Sequence, residues 1–146
     1  MNTPSNGFAL PAVLISAVVL LLILVTSVNS TVAVRTGLQD QWYNQMAQLT
    51  AEAGTSYATA CIEEANGIVE WTLLKPLRPN TDCGGDPVVG ASQYVFEQGN
   101  LRTYFVVEPP TDDSSVIGEG FVELQRSSTG AVWRTWTSTI TTPLTL

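Results

Sequence analysis

Residues 8–25 read FALPAVLISAVVLLLILV, an apolar run that contains no charged side chain. Its eighteen residues reach the lower limit of length at which a helix can cross the hydrocarbon core of a bilayer. The leader that precedes it, MNTPSNG, is polar and also uncharged. The run therefore predicts an apolar helix that either enters a membrane or packs against other apolar helices.

Two ordinary interpretations of such a run are a secretory signal peptide and a plain signal anchor. A signal peptide usually starts with a basic region, and residues 1–7 provide no basic side chain. Cleavage after Ser30 would place Val28 and Ser30 at the −3 and −1 positions. Both interpretations remain open at this point.

The composition limits the rest of the chain to one folded domain. The protein has 146 residues, with six basic and thirteen acidic side chains, a net charge of −7 and no histidine. Nucleic acid is disfavoured as a direct ligand, because neutralising phosphates requires clustered Lys and Arg. Without histidine the chain lacks the usual proton shuttle and the commonest metal ligand.

A second helical segment follows the apolar run. Residues 26–37 contain Ser, Asn, Thr and Gly, which are poor helix formers, so this stretch is either a weak part of one long helix or a linker. From residue 38 onward, apolar residues recur at steps of three and four and predict one buried stripe: Leu38, Trp42, Met46, Leu49, Ala53, Tyr57 and Cys61. The pair Asn66-Gly67 predicts the end of the helix.

Cys61 and Cys83 are the only cysteines of the chain. An isolated pair behind an export segment predicts a disulfide, here between the end of the helix and the loop that enters the sheet. Free thiols and a pair of metal ligands are the alternatives. A metal site would need additional Cys or His ligands, and the sequence supplies none, so no metal and no other cofactor is predicted.

The last third of the chain has the pattern of β-strands. Short segments rich in Val, Thr, Tyr, Phe and Trp are separated by turn sequences at residues 98–100 and 127–130. The predicted strands are residues 93–97, 101–108, 117–126 and 131–141. They predict a four-stranded antiparallel meander with one face covered by the amphipathic part of the helix, so that the fold class is α+β.

The side chains that could support chemistry form no recognisable site. Asp82, Asp86, Asp112 and Asp113 lie in predicted loops without the spacing of an EF-hand. They are interpreted as solvated residues of turns rather than calcium ligands. No histidine is present to activate a serine, and the single lysine, Lys75, lies in a proline-flanked loop. No catalytic residue is predicted, and the chain is not expected to be an enzyme.

The junction between Gly7 and Phe8 carries a resemblance to a known family. A short polar leader that ends in glycine and is followed by Phe and an apolar run, GFALPAVLISAVVLLLIL, resembles the class III leader of type IV pilins and pseudopilins. The resemblance implies that a prepilin peptidase cuts between Gly7 and Phe8. It also implies a long N-terminal helix on a small antiparallel sheet, with residues 1–7 as leader, residues 8–28 as the transmembrane or filament-core helix and residues 29–146 as the head.

One position departs from the family pattern. Most members have glutamate as the fifth residue after the cut, and this sequence has Ala12 there, preceded by Pro11. The resemblance implies that this carboxylate pairs with the N-terminal amine of a neighbouring subunit, since an intramembrane carboxylate is generally retained for a partner. Ala12 cannot form the pair. Family members without the glutamate are often minor subunits placed at the filament tip.

The leading hypothesis is therefore a structural subunit of an extracellular filament used for adhesion, motility or DNA uptake. It would be made as a single-pass membrane precursor and then assembled by apolar packing of Leu14, Ile15, Val18 and Leu22. The partners implied by the resemblance are other pilin subunits, the prepilin peptidase, an assembly ATPase and its membrane platform. The alternative is a membrane-anchored or secreted binding domain that does not polymerise.

Overall fold

The computed structural model describes residues 9–111 and 115–144, and no side-chain description extends to residues 9–12, 29, 30, 32 and 33. One helix, α1, covers Ala9–Glu64. Four strands follow: β1 at Phe96–Gln98, β2 at Leu101–Val107, β3 at Ser115–Gln125 and β4 at Val132–Pro143. The chain divides into two compact units, Met1–Asp40 and Gln41–Leu146.

The strands form one antiparallel sheet in the order β1-β2-β3-β4, which confirms the predicted α+β class and the four-stranded meander. Gly99, with a φ of 58°, lies in the two-residue loop between β1 and β2. Gly130, with a φ of 66°, lies in the turn before β4 and donates its N–H to the Arg126 carbonyl. Both turns fall where the sequence predicts them, because positive φ favours glycine.

The first strand is shorter than predicted. It begins at Phe96 rather than at residue 93. Ser92 Oγ accepts the N–H of Tyr94 and donates to the Tyr94 carbonyl, so the chain makes a local turn before the ladder starts. A serine side chain that bonds to nearby backbone competes with regular strand pairing in this way.

The helix is continuous through residues 26–37, where the sequence left a weak helix or a linker open. Thr26 and Thr31 donate their hydroxyls to carbonyls one turn earlier, at Leu22 and Ser27. At the other end, Asn66 and Gly67 adopt φ values of 55° and 86°, and the Gly67 N–H donates to the Ile62 carbonyl at 2.8 Å. This arrangement ends the helix as the sequence predicts.

The buried face of the helix differs from the predicted stripe. Leu38, Trp42, Leu49 and Ala53 are exposed, and of the predicted stripe only Cys61 is fully buried. Small residues at neighbouring positions face the sheet instead, namely Ala47, Thr50, Ala51, Gly54, Thr55 and Ala58. The prediction was wrong because it followed the largest apolar residues, whereas the face in contact with the sheet is the one with the smallest side chains.

Two glycines on β3 explain why this face of the helix is the buried one. A Cβ at Gly120 would overlap the backbone of Ala47 and Ala51, and one at Gly118 would lie 2.6 Å from the Thr55 methyl carbon. The backbones of strand and helix are therefore in direct contact. Such close approach is possible because the strand has glycine, which lacks a Cβ, at both points where the helix crosses it.

The unit Gln41–Leu146, called the head from here on, has two clusters of buried side chains on this side of the sheet. The smaller consists of Ala47, Val122 and Trp136, with Tyr43 and Met46 packed partly against it. The larger surrounds the end of the helix and consists of Ala58, Cys61, Ile62, Trp71, Leu77, Phe105, Val107 and Val116. Of the predicted stripe, Met46 is thus partly buried, while Trp42 is half exposed.

The membrane-spanning character predicted for the start of the helix is not confirmed. Among the residues that the structure describes, no helix is both long enough and apolar enough to cross a membrane. The predicted run begins at Phe8, and this residue and the side chains of residues 9–12 lie outside that description.

Candidate assembly surface and the disulfide-bonded head

The apolar segment of α1, defined here as residues 13–28, is exposed around its whole circumference. Its large apolar side chains keep between 48% and 66% of their surface exposed. Every residue from 13 to 28 is exposed, whereas several residues between 47 and 62 are buried. Contiguous exposed apolar surface of this kind marks a site that is covered by a partner or a lipid phase.

The polar side chains within the apolar segment are directed to its own backbone. Ser16 Oγ donates to the Val13 carbonyl at 2.9 Å, and Ser27 Oγ donates to the Ile23 carbonyl at 2.8 Å. Thr26 bonds in the same manner. Hydroxyls satisfied by the helix itself add little to the cost of removing the segment from water.

The four residues predicted to pack in a filament core share one side of the helix. At about 100° per residue, Leu14, Ile15, Val18 and Leu22 fall within an arc of about 100°. All four are more than half exposed. The structure thus makes them available for packing, and the packing itself stays a prediction. The predicted cleavage site at Gly7 and Phe8 lies outside the described residues.

Cys61 and Cys83 form a disulfide in the structure, across a sequence separation of 22 residues. The bond joins the last turn of α1 to the loop that precedes the sheet. Cys61 is 2% exposed and belongs to the larger core cluster, against which Cys83 also packs. The predicted pairing is confirmed, and the bond fixes the connecting loop to the helix.

A tyrosine supports the same connection. The Tyr57 hydroxyl donates to the Thr81 carbonyl at 2.6 Å, across 24 residues of sequence. Burial raises the pKa of the Tyr57 hydroxyl, and the Asp82 and Glu64 carboxylates add to the shift. The hydroxyl therefore remains a protonated donor well into the alkaline range.

The loop aspartates accept hydrogen bonds from backbone N–H groups and form one ion pair. Asp82 Oδ1 accepts the N–H groups of Gly84 and Asp86 at 3.0 and 2.9 Å. Asp86 pairs with Lys75 at 2.5 Å, with both side chains more than half exposed. Within residues 9–111 and 115–144, no group of three acidic, Cys or His side chains could hold a metal ion. Asp112 and Asp113 lie outside the described residues.

The sheet face opposite the helix holds a feature that the sequence-based interpretation missed. Tyr104 and Phe121 are partners on β2 and β3, and their rings stack at 4.9 Å with an interplanar angle of 12°. They form part of the wall of a cavity of about 410 Å³. The alternation of Arg102, Tyr104 and Val106 with buried residues could have indicated a second, partly exposed face on β2.

No known protein family, curated protein or solved structure matches this chain.

Proposed function

We propose that this protein is a type IV pilin-like structural subunit that polymerises through its N-terminal helix into an extracellular filament. The observation that carries the proposal is the apolar segment of α1, which is exposed on every side. The Gly7-Phe8 junction resembles a class III leader, and this resemblance implies that a peptidase removes the leader before the subunit assembles. Its role in this proposal is mechanical and adhesive rather than catalytic.

The physical basis is the burial of the apolar segment by neighbouring copies. Full burial of one large aliphatic side chain contributes about 1.5–3 kcal/mol. The segment presents a dozen such side chains, Val13, Leu14, Ile15, Val18, Val19, Leu20, Leu21, Leu22, Ile23, Leu24, Val25 and Val28. Helices of neighbouring copies packed side by side would cover them.

Before assembly, we propose a single-pass membrane precursor. The support is the uncharged run of residues 8–25, whose length suits a bilayer. The partners required are a prepilin peptidase that cuts after Gly7, an assembly ATPase with its membrane platform, and other pilin subunits. The mature chain would then leave the membrane for a filament on the bacterial cell surface.

The place of the subunit in the filament follows from Ala12. A buried carboxylate without a partner is costly, so a glutamate at this position would favour an arrangement that supplies an amine. Ala12 brings no carboxylate. This favours a minor subunit at the tip, where no subunit lies ahead to provide that amine. Immunogold labelling tests this assignment: labels confined to filament ends support it, and labels along the whole length identify a principal subunit.

The N-terminus of the mature protein tests the function itself. Edman sequencing of the exported chain is expected to begin at Phe8. A chain that begins at Met1 would instead be a membrane anchor, and one that begins near Thr31 would be a secreted domain. Either of those results would overturn the pilin-like assignment.

A further inference from the structure

The outer cavity of the head, on the sheet face opposite α1, has the construction of a ligand site. Its volume of about 410 Å³ falls in the range of small-molecule sites, roughly 300–1,000 Å³. The stacked rings of Tyr104 and Phe121 form one aromatic surface. Tyr94 stands at an angle to it, with its ring centroid 6.4 Å from that of Tyr104 and an interplanar angle of 65°.

These rings are held in place without a ligand. The Tyr104 hydroxyl donates to Glu123 Oε1 at 2.9 Å. The guanidinium of Arg102 lies over the Tyr94 ring, 4.8 Å from its centroid, and Arg102 Nε donates to Glu97 Oε1 at 2.7 Å. A surface that is already ordered loses little conformational entropy when a ligand binds.

Polar groups with unused hydrogen-bonding capacity surround the aromatic surface. The side chains of Arg78, Asn80 and Gln93 line the same cavity. In the described part of the chain, none of these three side chains donates or accepts a hydrogen bond with another residue. Together they offer two amides and one guanidinium, all planar groups that can hold two neighbouring hydroxyls or carbonyls at once.

The charges at the cavity exclude several ligand classes. Arg78 and Glu123 bring one charge of each sign, so neither a strongly anionic nor a cationic ligand is favoured. A nucleic acid strand would also approach a protein with a net charge of −7, which opposes phosphate binding. A quaternary ammonium would meet Arg78, and Arg102 already covers one face of Tyr94.

We propose that this cavity binds a neutral hexopyranose glycan. The C–H face of a pyranose ring is apolar and would lie on the Tyr104–Phe121 surface, while its hydroxyls would bond to Asn80, Gln93 and Arg78. The glycan would thus use the aromatic surface and the planar polar groups together, without requiring a net charge. The inference concerns the head alone and does not depend on filament assembly.

The test uses the full chain in micelles of a detergent without a sugar head group, such as a polyoxyethylene alkyl ether. The probes are an array of neutral glucose-, galactose-, mannose- and N-acetylglucosamine-terminated oligosaccharides, together with a thymidine oligonucleotide and phosphocholine. We expect a neutral glycan to bind. Asn80→Ala and Gln93→Ala should each weaken its affinity roughly 2- to 10-fold, as expected for one lost hydrogen bond.

The matched control is Gln98→Ala, an exposed glutamine at the end of β1 outside the cavity, which should keep the wild-type affinity. Urea unfolding of each variant separates lost binding from lost folding. The proposal is overturned by three results: no saturable binding of any neutral glycan at millimolar concentration, binding of the oligonucleotide or phosphocholine alone, or glycan binding that Asn80→Ala and Gln93→Ala leave unchanged in folded protein.

Discussion

Gly120 of β3 lies directly against the main chain of Ala47 in α1, so that a Cβ on this glycine would overlap the Ala47 carbonyl oxygen. Ala47 itself is fully buried. The contact is between two backbones, which cannot move aside as a flexible side chain can. The spacing between the helix and the sheet in the head therefore depends on the absence of a single methyl group.

The Gly120→Ala substitution should destabilise the head. The added methyl forces the strand and helix apart, and overpacking of this kind costs about 1–3 kcal/mol or more. Urea unfolding of the full chain in micelles, followed by tryptophan fluorescence, measures the loss. Glu119→Ala is the control, because the neighbouring side chain is exposed and its removal should change stability by less than about 0.5 kcal/mol. Equal stability of the two variants would contradict the contact.

Loss of the disulfide should lower the stability of the head by about 3 kcal/mol, the value expected from chain entropy for a loop of this length. The double variant Cys61→Ala/Cys83→Ala or treatment with a reductant should give the same decrease in the unfolding midpoint. Alkylation and mass measurement of the non-reduced protein provide the check on the bond itself. Two alkylated thiols in that sample would show that the bond is absent from the exported protein.

Tyr104 should make the head sensitive to high pH. Burial and the hydrogen bond to Glu123 raise the pKa of Tyr104 from 10.0 to about 12, while the Arg78 guanidinium acts in the opposite direction. The unfolded chain thus loses this proton at lower pH than the folded chain. The contribution of this pKa difference to the free energy of unfolding is therefore complete below pH 10. It is lost as the pH rises through about 12.

Tyr104→Phe should accordingly flatten the decrease in stability between pH 10 and 12, even if it lowers stability at neutral pH through the lost hydrogen bond. Tyrosinate absorbance, recorded as a function of pH, should lose its highest-pH step in this variant. Glu123→Gln should shift that step to lower pH. An unchanged titration in Tyr104→Phe would assign the step to another tyrosine.

A charge in the apolar segment should prevent assembly. Leu22→Glu places a carboxylate among the residues predicted to pack together, where burial of an unpaired charge costs several kcal/mol. The amount of this chain in the sheared filament fraction should decrease at least tenfold. Leu74→Glu is the matched control, since Leu74 is 95% exposed in a loop of the head. Incorporation of the Leu22→Glu chain into filaments at the wild-type level would contradict packing through this surface.

Gly7→Leu should block maturation. The resemblance at the Gly7-Phe8 junction implies a peptidase that requires a residue without a side chain before the cut. The precursor should then keep its leader and remain in the membrane fraction, as seen by its mass. Mature chains that begin at Phe8 in this variant would show that the class III interpretation is wrong.

The sequence by itself determined the parts of the fold that depend on local chemistry. Turns fall at Gly99 and Gly130, and the helix ends before Asn66-Gly67, because these residues tolerate positive φ. The pairing of Cys61 with Cys83 followed from the absence of any other cysteine. The apolar run of residues 8–25 is equally evident, since it requires only the hydropathy of consecutive residues.

Only the tertiary structure decided which face of the helix is buried and that the opposite face of the sheet contains a cavity. Ala47, Ala51 and Ala58 are buried because Gly118 and Gly120 allow the backbones to meet, whereas the larger Trp42 and Leu49 stay exposed. Hydropathy periodicity ranks residues by their own side chains and contains no information about the size of the partner. For the same reason, the cavity beside Tyr104 depends on strand register and on a loop distant in sequence, which no local pattern specifies.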